Sequence, residues 1–269
     1  MSEYFDQIHE GLPITDMEII DVHAHLGVTW GFHESLSSPD EMIWMMDRCG
    51  IDKTIISSTV GIYSDLVLGN NLMLEAVRAH RERLYGACYV NGNYQELSLD
   101  ELHRCFEADP GVLIMKIHPL VAQCRMDDRR MKKLYEFASE RKLFTVVHTW
   151  IDQDPYGNQD LFASVVKDYP DIAWLMGHSG GPHGLHHALE IARDIPNVYL
   201  DITRSMYPAR ELEVFVDEIG SERVMFGTDN PFIDPRPLIG RVGLADISRK
   251  DRENIFYRNA RRLVTFGDE

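Results

Sequence analysis

A single (β/α)8 barrel, an α/β fold, is what this sequence predicts, and three observations carry the prediction. The chain has 269 residues, too many for one ordinary core but the usual length of one such barrel. Short β-branched apolar runs alternate with longer segments of helical period, about eight times in succession. The runs are apolar nearly throughout, as strands of a parallel sheet covered on both faces must be.

The elements follow in order. "MEIIDVH" reads as the first strand, and "SPDEMIWMMDRCG" as a capped helix ending at Gly50. "KTIISST" is the second strand, with a helix near "NNLMLEAVRAHR". "LYGACYVN" and "LDELHRCFEAD" form the third unit, "GVLIMKIHP" and "DRRMKKLYEFASER" the fourth. "LFTVVHT" is the fifth strand, and Pro170 ends the helix "QDLFASVVKDYP". "IAWLMGHSGG" and "GLHHALEIARD" form the sixth unit. "NVYLDIT" and "ARELEVFVDEIG", closed by Gly220, form the seventh. "RVMFGTDNP" is the eighth strand, before a final helix in "SRKDRENIFYRNARRLV". A doubly wound open sheet would place a Gly-rich phosphate loop after its first strand; "HAHLGVTWG" has neither GxGxxG nor GxxxxGK[ST]. One domain over 1–269 is expected, with a lead of roughly 16 residues that covers the barrel bottom.

Composition removes several classes of function. Hydrophobic residues make up 44% and charged residues 26%, the balance of a soluble globular chain. A net charge of −16, without a basic stripe, argues against nucleic acid and anionic membrane surfaces as partners. The short cluster "DDRRMKK" reads as a helix start, acids first and bases after. No apolar run reaches the roughly 18 residues of a membrane span. "MSEYFDQIHEGLPITD" has neither the basic nor the apolar segment of a secretory signal. Cys49, Cys88, Cys105 and Cys124 are widely spaced, which suits reduced thiols and a cytoplasmic location. The expected partner is a small-molecule substrate; a homo-oligomer is compatible but not readable.

Barrel chemistry lies at the C-terminal ends of the strands. The polar residues that end the runs are His23 and His25, Lys116 and His118, His148, His178, Asp201 with Arg204 beyond it, and Asp229. Residues two apart on a strand share a face, so His23 and His25 point together into the mouth. Buried neutral imidazoles need partners, and a divalent metal supplies one. His23, His25, His148 and Asp229 make three imidazoles and a carboxylate. That set suits zinc with a position left for water; Mn²⁺, Fe²⁺ or Co²⁺ also fit.

The stretches "IIDVHAHLG", "IMKIHP", "TVVHT", "LMGHSGG", "YLDIT", "VMFGTDNP" and "NIFYRNARRLV" together resemble the amidohydrolase superfamily, in its amidohydrolase-2 branch of hydrolases and decarboxylases. The resemblance implies a metal-dependent TIM barrel. In it His23, His25, His148 and Asp229 are ligands, Asp229 also handles the proton of the attacking water, and His178 is its catalytic partner. Two-metal members often carry a carboxylated lysine on strand four. "KIHP" matches the branch form without it, so one metal is expected, zinc before manganese, and a second only if Lys116 is carboxylated.

The main expectation is therefore hydrolysis of an amide, lactone or ester by a metal-activated water. Lys116, His118, Arg204 and Trp150 are the candidate substrate residues, the cations suggesting a carboxylate on the substrate. Trp30 is a further candidate wall, and Tyr63 and Tyr156 sit in candidate lid loops. Arg125 reads better as a surface residue. His183, His186 and His187 read as a loop and a solvated helix face; His9, His33, His80 and His103 as structural or exposed. The Met run in "MIWMMD" reads as packing. The alternative is non-oxidative decarboxylation on the same scaffold. Decarboxylases of the branch tend to have longer loops, which tilts this short chain to hydrolysis. A barrel that has lost activity and only binds is the remote alternative, since none of the five metal-site positions is erased.

Overall fold

The computed structural model describes residues 3–29, 37–150, 153–204, 208 and 210–267, so Trp30 and His33 lie outside the described residues. After a short helix α1 (Phe5–His9), β1 (Ile20–Leu26) leads to α2 (Pro39–Cys49), and β2 (Lys53–Ser58) to α3 (Thr59–Tyr63) and α4 (Leu66–Ala79). β3 (Leu84–Val90) precedes α5 (Gln95–Ala108), and β4 (Val112–Ile117) precedes α6 (Pro119–Ala122) and α7 (Lys132–Glu140). β5 (Phe144–His148), α8 (Gln159–Val166), β6 (Ala173–Gly177), α9 (Leu185–Asp194), β7 (Val198–Asp201), α10 (Glu211–Ile219) and β8 (Val224–Met225) follow. α11 (Pro235–Leu244), α12 (Arg249–Glu253) and α13 (Asn259–Leu263) end the chain.

The eight strands pair in sequence order, each parallel to the next. The ring closes through backbone bonds between its first and last strands: Val22 N to Phe226 O at 3.1 Å, Asp229 N to His23 O at 2.8 Å, and His25 N to Asn230 O at 2.7 Å. This is the predicted (β/α)8 TIM barrel. Ile55, Ala87, Ile114, Val146, Leu175 and Met225 fill its interior. The register of β1 shifts between Asp21 and Ala24. Ile20 and Val22 therefore join the interior cluster, Ala24 and Leu26 pack against the helix layer, and the two histidines face inward. Phe266 from the C-terminal tail packs edge-on to Tyr85, centroids 4.8 Å apart, within the same cluster.

α2 starts where its sequence says. The Ser38 side chain accepts from Glu41 N, the Glu41 carboxylate accepts from Ser38 N, Pro39 occupies the first turn, and Gly50 closes the helix at φ 75°. Three elements differ from expectation. α3 is an extra turn between β2 and α4, made possible by glycine contact: a Cβ on Gly69 would lie 2.0 Å from Gly61 N. The span Pro235–Leu244, to which the sequence reading assigns no element, is helix α11, with Asp234 as its N-cap. The tail is not one α-helix, since Asn254–Arg258 is a π turn between α12 and α13. The turn leaves Ile255 O to accept from Phe226 N at 3.2 Å, which ties the tail to the short β8. Among the described residues, no helix is long and apolar enough to cross a membrane.

Candidate metal centre

Each strand changes from apolar to polar at its C-terminal end, and these ends meet inside the ring. His23, His25, Lys116, His118, His178, Asp201 and Asp229 are buried; His148 and Trp150 are half-buried. One ligand atom from each of His23, His178 and Asp229 lies within 4.8 Å of the others. His25 stands beside this trio, its Nε2 3.0 Å from Asp229 Oδ1, while His23 Nε2 is 3.6 Å from the same oxygen. That buried oxygen has no well-aligned hydrogen-bond donor. A carboxylate oxygen facing several imidazole nitrogens without a bonded proton is what a shared divalent cation would resolve, and the N,N,O donor set fits one. His148 Nδ1 lies 3.0 Å from His178 Nε2. Sequence places His148 among the ligands and His178 beside them; the structure puts His178 in the tight trio and His148 one hydrogen bond away.

The surroundings fix the rings. His23 Nδ1 is 2.7 Å from Asp201 Oδ2, and its Nε2 accepts from Lys116 Nζ at 2.6 Å. His25 Nδ1 meets Ser57 Oγ at 3.1 Å, and the Phe232 ring stacks on His25 with centroids 4.9 Å apart. His178 Nδ1 donates to Thr203 O at 2.8 Å. Trp150 stands edge-on to His178 at 5.3 Å, and His118 stacks on His148 at 3.8 Å while its Nδ1 accepts from Val121 N. Gly177 makes room, because a Cβ there would lie 2.8 Å from Val147 O and 3.2 Å from His23 Cε1.

Two positions of the trio sit on strained backbone. His178 has φ 64° and Asp229 φ 63°, the left-handed region that costs residues with a Cβ about 1–3 kcal/mol. Asp229 is clamped there by its neighbours. Asp21 Oδ1 accepts from His23 N at 3.0 Å and Thr228 N at 3.1 Å, its Oδ2 accepts from the Thr228 hydroxyl, and Thr228 Oγ1 accepts from Asn230 N at 3.0 Å.

Electrostatics follow from burial. It pushes His23, His25, His118 and His148 below the ordinary imidazole range; Lys116 adds to this at His23 and His118, and His118 and His178 at His148. Burial also brings Lys116 down to about 8 and raises Asp201 to about 6 and Asp21 to about 7. Asp229 goes the other way. Burial opposes its charge, but His178, His25 and His23 outweigh it and hold the carboxyl below its usual range.

Arg204 does not face the site as expected. It is 1% exposed, its guanidinium is paired with Glu211, and its Nη1 donates to Gly181 O at 2.6 Å. Arg241 binds the same Glu211 carboxylate. Sequence could not place Glu211 opposite Arg204, because α10 had first to fold back over β7. Arg125 pairs with Asp127 on the surface. Asp21, Ser57 and Phe232 were not read as site residues, and Asp201 was read only as the polar end of the seventh strand, without a role. Asp21 carries a signal, an aspartate inside the apolar run "EIIDVHAHLG", and Phe232 follows Asp229 by three residues. Ser57 has none.

The sequence model of the family Amidohydro_2, described as amidohydrolase, matches residues 66–266, downstream of the His23–His25 pair. Similar solved structures include an uncharacterized Tim-barrel protein from Bordetella bronchiseptica, at 19% identity and TM-score 0.76, covering 92% of this chain and 98% of that one. A 2,6-dihydroxybenzoate decarboxylase from Rhizobium matches at 16% identity and TM-score 0.75, with 92% and 98% covered. A dihydroxybenzoic acid decarboxylase from Polaromonas sp. JS666, with bound manganese and the inhibitor 2-nitroresorcinol, matches at 18% identity and TM-score 0.75, with 92% and 96% covered. At these identities the likeness speaks for the fold.

Proposed function

The chain belongs to the Amidohydro_2 family of amidohydrolases, and from that premise we propose that it is a metal-dependent, non-oxidative decarboxylase of a small, flat hydroxyaryl or enolic acid. The observation that carries the reading is the placement of aromatic rings beside the imidazole–carboxylate trio, Phe232 stacked on His25 and Trp150 edge-on to His178. Such walls suit a planar substrate. The decarboxylases that share the fold support it as well. They are covered to 96–98% of their chains, so the shortness of this chain no longer argues against them.

A divalent cation held by His23, His178 and Asp229, with His25 and His148 adjoining, would supply positive charge for a substrate oxygen as the C–C bond breaks. Manganese is the first candidate because a neighbour holds it; the donor set suits zinc also. The electron pair of the broken bond stays on the former α-carbon, CO2 leaves, and that carbon takes one proton. Lys116, at about 8, holds a proton at neutral pH, whereas Asp229 does not. Lys116 is thus the better proton source and Asp229 the fixed anion of the site.

Hydrolysis is the second reading, favoured by the ionised Asp229, which is a ready proton acceptor for an attacking water. The two are separated by incubating the manganese-loaded protein with dihydroxybenzoates, and in parallel with lactones and amides. Release of CO2 with loss of the acid's absorbance is expected. Lactone or amide opening without CO2 release would replace decarboxylation by hydrolysis.

A further inference from the structure

Asp201 ends β7 and is fully buried. Its two carboxylate oxygens serve two different strands. Oδ2 is 2.7 Å from His23 Nδ1 of β1. Oδ1 accepts from His178 N, just past β6, at 2.6 Å, and from Thr203 N at 3.2 Å. A carboxylate only accepts, so His23 carries its proton on Nδ1. The opposite end of the same ring says the same, since the Lys116 ammonium has only donors and lies 2.6 Å from Nε2. Two independent contacts thus select one tautomer, with the Nε2 lone pair accepting from Lys116 and lying 3.6 Å from Asp229 Oδ1.

The second imidazole is held by the same short stretch of chain. His178 stands at φ 64° and Ser179 at φ 47°, backbone that residues with a Cβ avoid unless it is pinned. The pins come from Asp201 and its neighbour: Asp201 Oδ1 on His178 N, the Ser179 hydroxyl donating to Asp201 O, and Thr203 O accepting from His178 Nδ1 at 2.8 Å. That last bond leaves His178 Nε2 unprotonated, 3.0 Å from His148 Nδ1, as Asp201 leaves His23 Nε2 unprotonated.

We propose that Asp201 is a positioning residue that sets the tautomer of His23 and pins the backbone of His178, so that both rings offer a lone pair to one cation. The consequence for metal affinity rests on the metal-centre reading above; the tautomer does not. A merely structural aspartate would tie β6 to β7 without governing either.

Asp201→Asn tests it. The amide oxygen must stay on the two backbone N–H groups of His178 and Thr203, because the reverse orientation loses both bonds. The NH2 group then faces His23 Nδ1 and demands a lone pair there, which drives the proton to Nε2. Imidazole nitrogen NMR of the chelator-treated wild type should show His23 protonated at Nδ1 and bare at Nε2, and the variant should show the reverse. Calorimetric titration with Mn²⁺ should show affinity in the variant lowered about 10–100-fold, the usual size of such an outer hydrogen bond. A wild-type His23 protonated at Nε2, or a folded Asp201→Asn protein that binds Mn²⁺ as tightly as the wild type, would overturn the proposal. Should the variant not fold, the wild-type spectrum alone still decides the tautomer. Should the wild type take up no divalent metal while showing the expected tautomer, the metal reading fails and the positioning by Asp201 stands.

Discussion

Asp229 is buried and ionised, and those two states oppose each other. Its charge survives because His178, His25 and His23 surround it, and its position survives because Asp21 and Thr228 clamp the left-handed turn on which it sits. Asp229→Asn keeps the volume and removes the charge. We expect kcat measured at saturating Mn²⁺ to fall about 10²–10³-fold, the usual size of losing one preorganised electrostatic group, and near-wild-type turnover would remove Asp229 from the chemistry. Glu211 poses the opposite problem, one carboxylate between two buried guanidiniums. Glu211→Gln leaves Arg204 and Arg241 without their counter-charge and should cost about 3–5 kcal/mol. Urea unfolding followed by circular dichroism measures it, and a loss below about 1 kcal/mol would mean that water replaces the anion. The same residues mark what sequence can tell. His23 and His25 were legible because a strand turns every second side chain to one face, and Asp229 because it ends a run. Arg204 was not. A cation at a strand end reads alike whether it meets substrate or a glutamate seven residues on, and only the path of α10 decides.

Elements obey their local signals where those signals are covalent or entropic, and depart from them where another element intervenes. The Ser38–Glu41 box, Pro39 and Gly50 mark both ends of α2 in the sequence alone. β8 was read from "RVMFGTDNP", but its shortness was not. Gly227 leaves the ladder where a Cβ would lie 2.4 Å from Thr203 Oγ1 and 2.9 Å from His23 Cβ, and the chain then turns Asp229 inward. The π turn at Asn254–Arg258 was hidden for a related reason: its carbonyl serves β8 instead of its own helix. α3 and α4 meet through Gly61 and Gly69, backbone on backbone. Gly69→Ala gains helix propensity of about 1 kcal/mol, but its methyl must displace the Gly61 backbone, at a cost of typically 1–3 kcal/mol. The expected result is a net loss of stability, read as a lower urea midpoint with an unchanged slope. A raised midpoint would show that the two turns can separate freely.

The barrel as a whole makes the site, because His23 and Asp229 stand at opposite ends of the chain and meet only across the β8–β1 seam. Asp229 N donates to His23 O and His25 N donates to Asn230 O, so the bonds that close the ring also hold the donor set. His23 of β1, His178 just past β6 and Asp229 after β8 would together hold a cation there, and an unfolded chain offers no such set. Binding to the folded state alone stabilises it by about 2.7 kcal/mol when free metal is 100 times its dissociation constant. For a chain of this size each kcal/mol moves the melting temperature by about 2–4 °C. Chelator treatment should therefore lower Tm by about 5–10 °C relative to protein at that excess of Mn²⁺, and returning Mn²⁺ should restore it. In Asp229→Asn the gap between the two conditions should shrink, because the carboxylate of the trio is gone while the seam bonds, all backbone, remain. A wild-type Tm indifferent to both chelator and excess Mn²⁺ would mean that seam and donor set are coupled to each other but not to a metal.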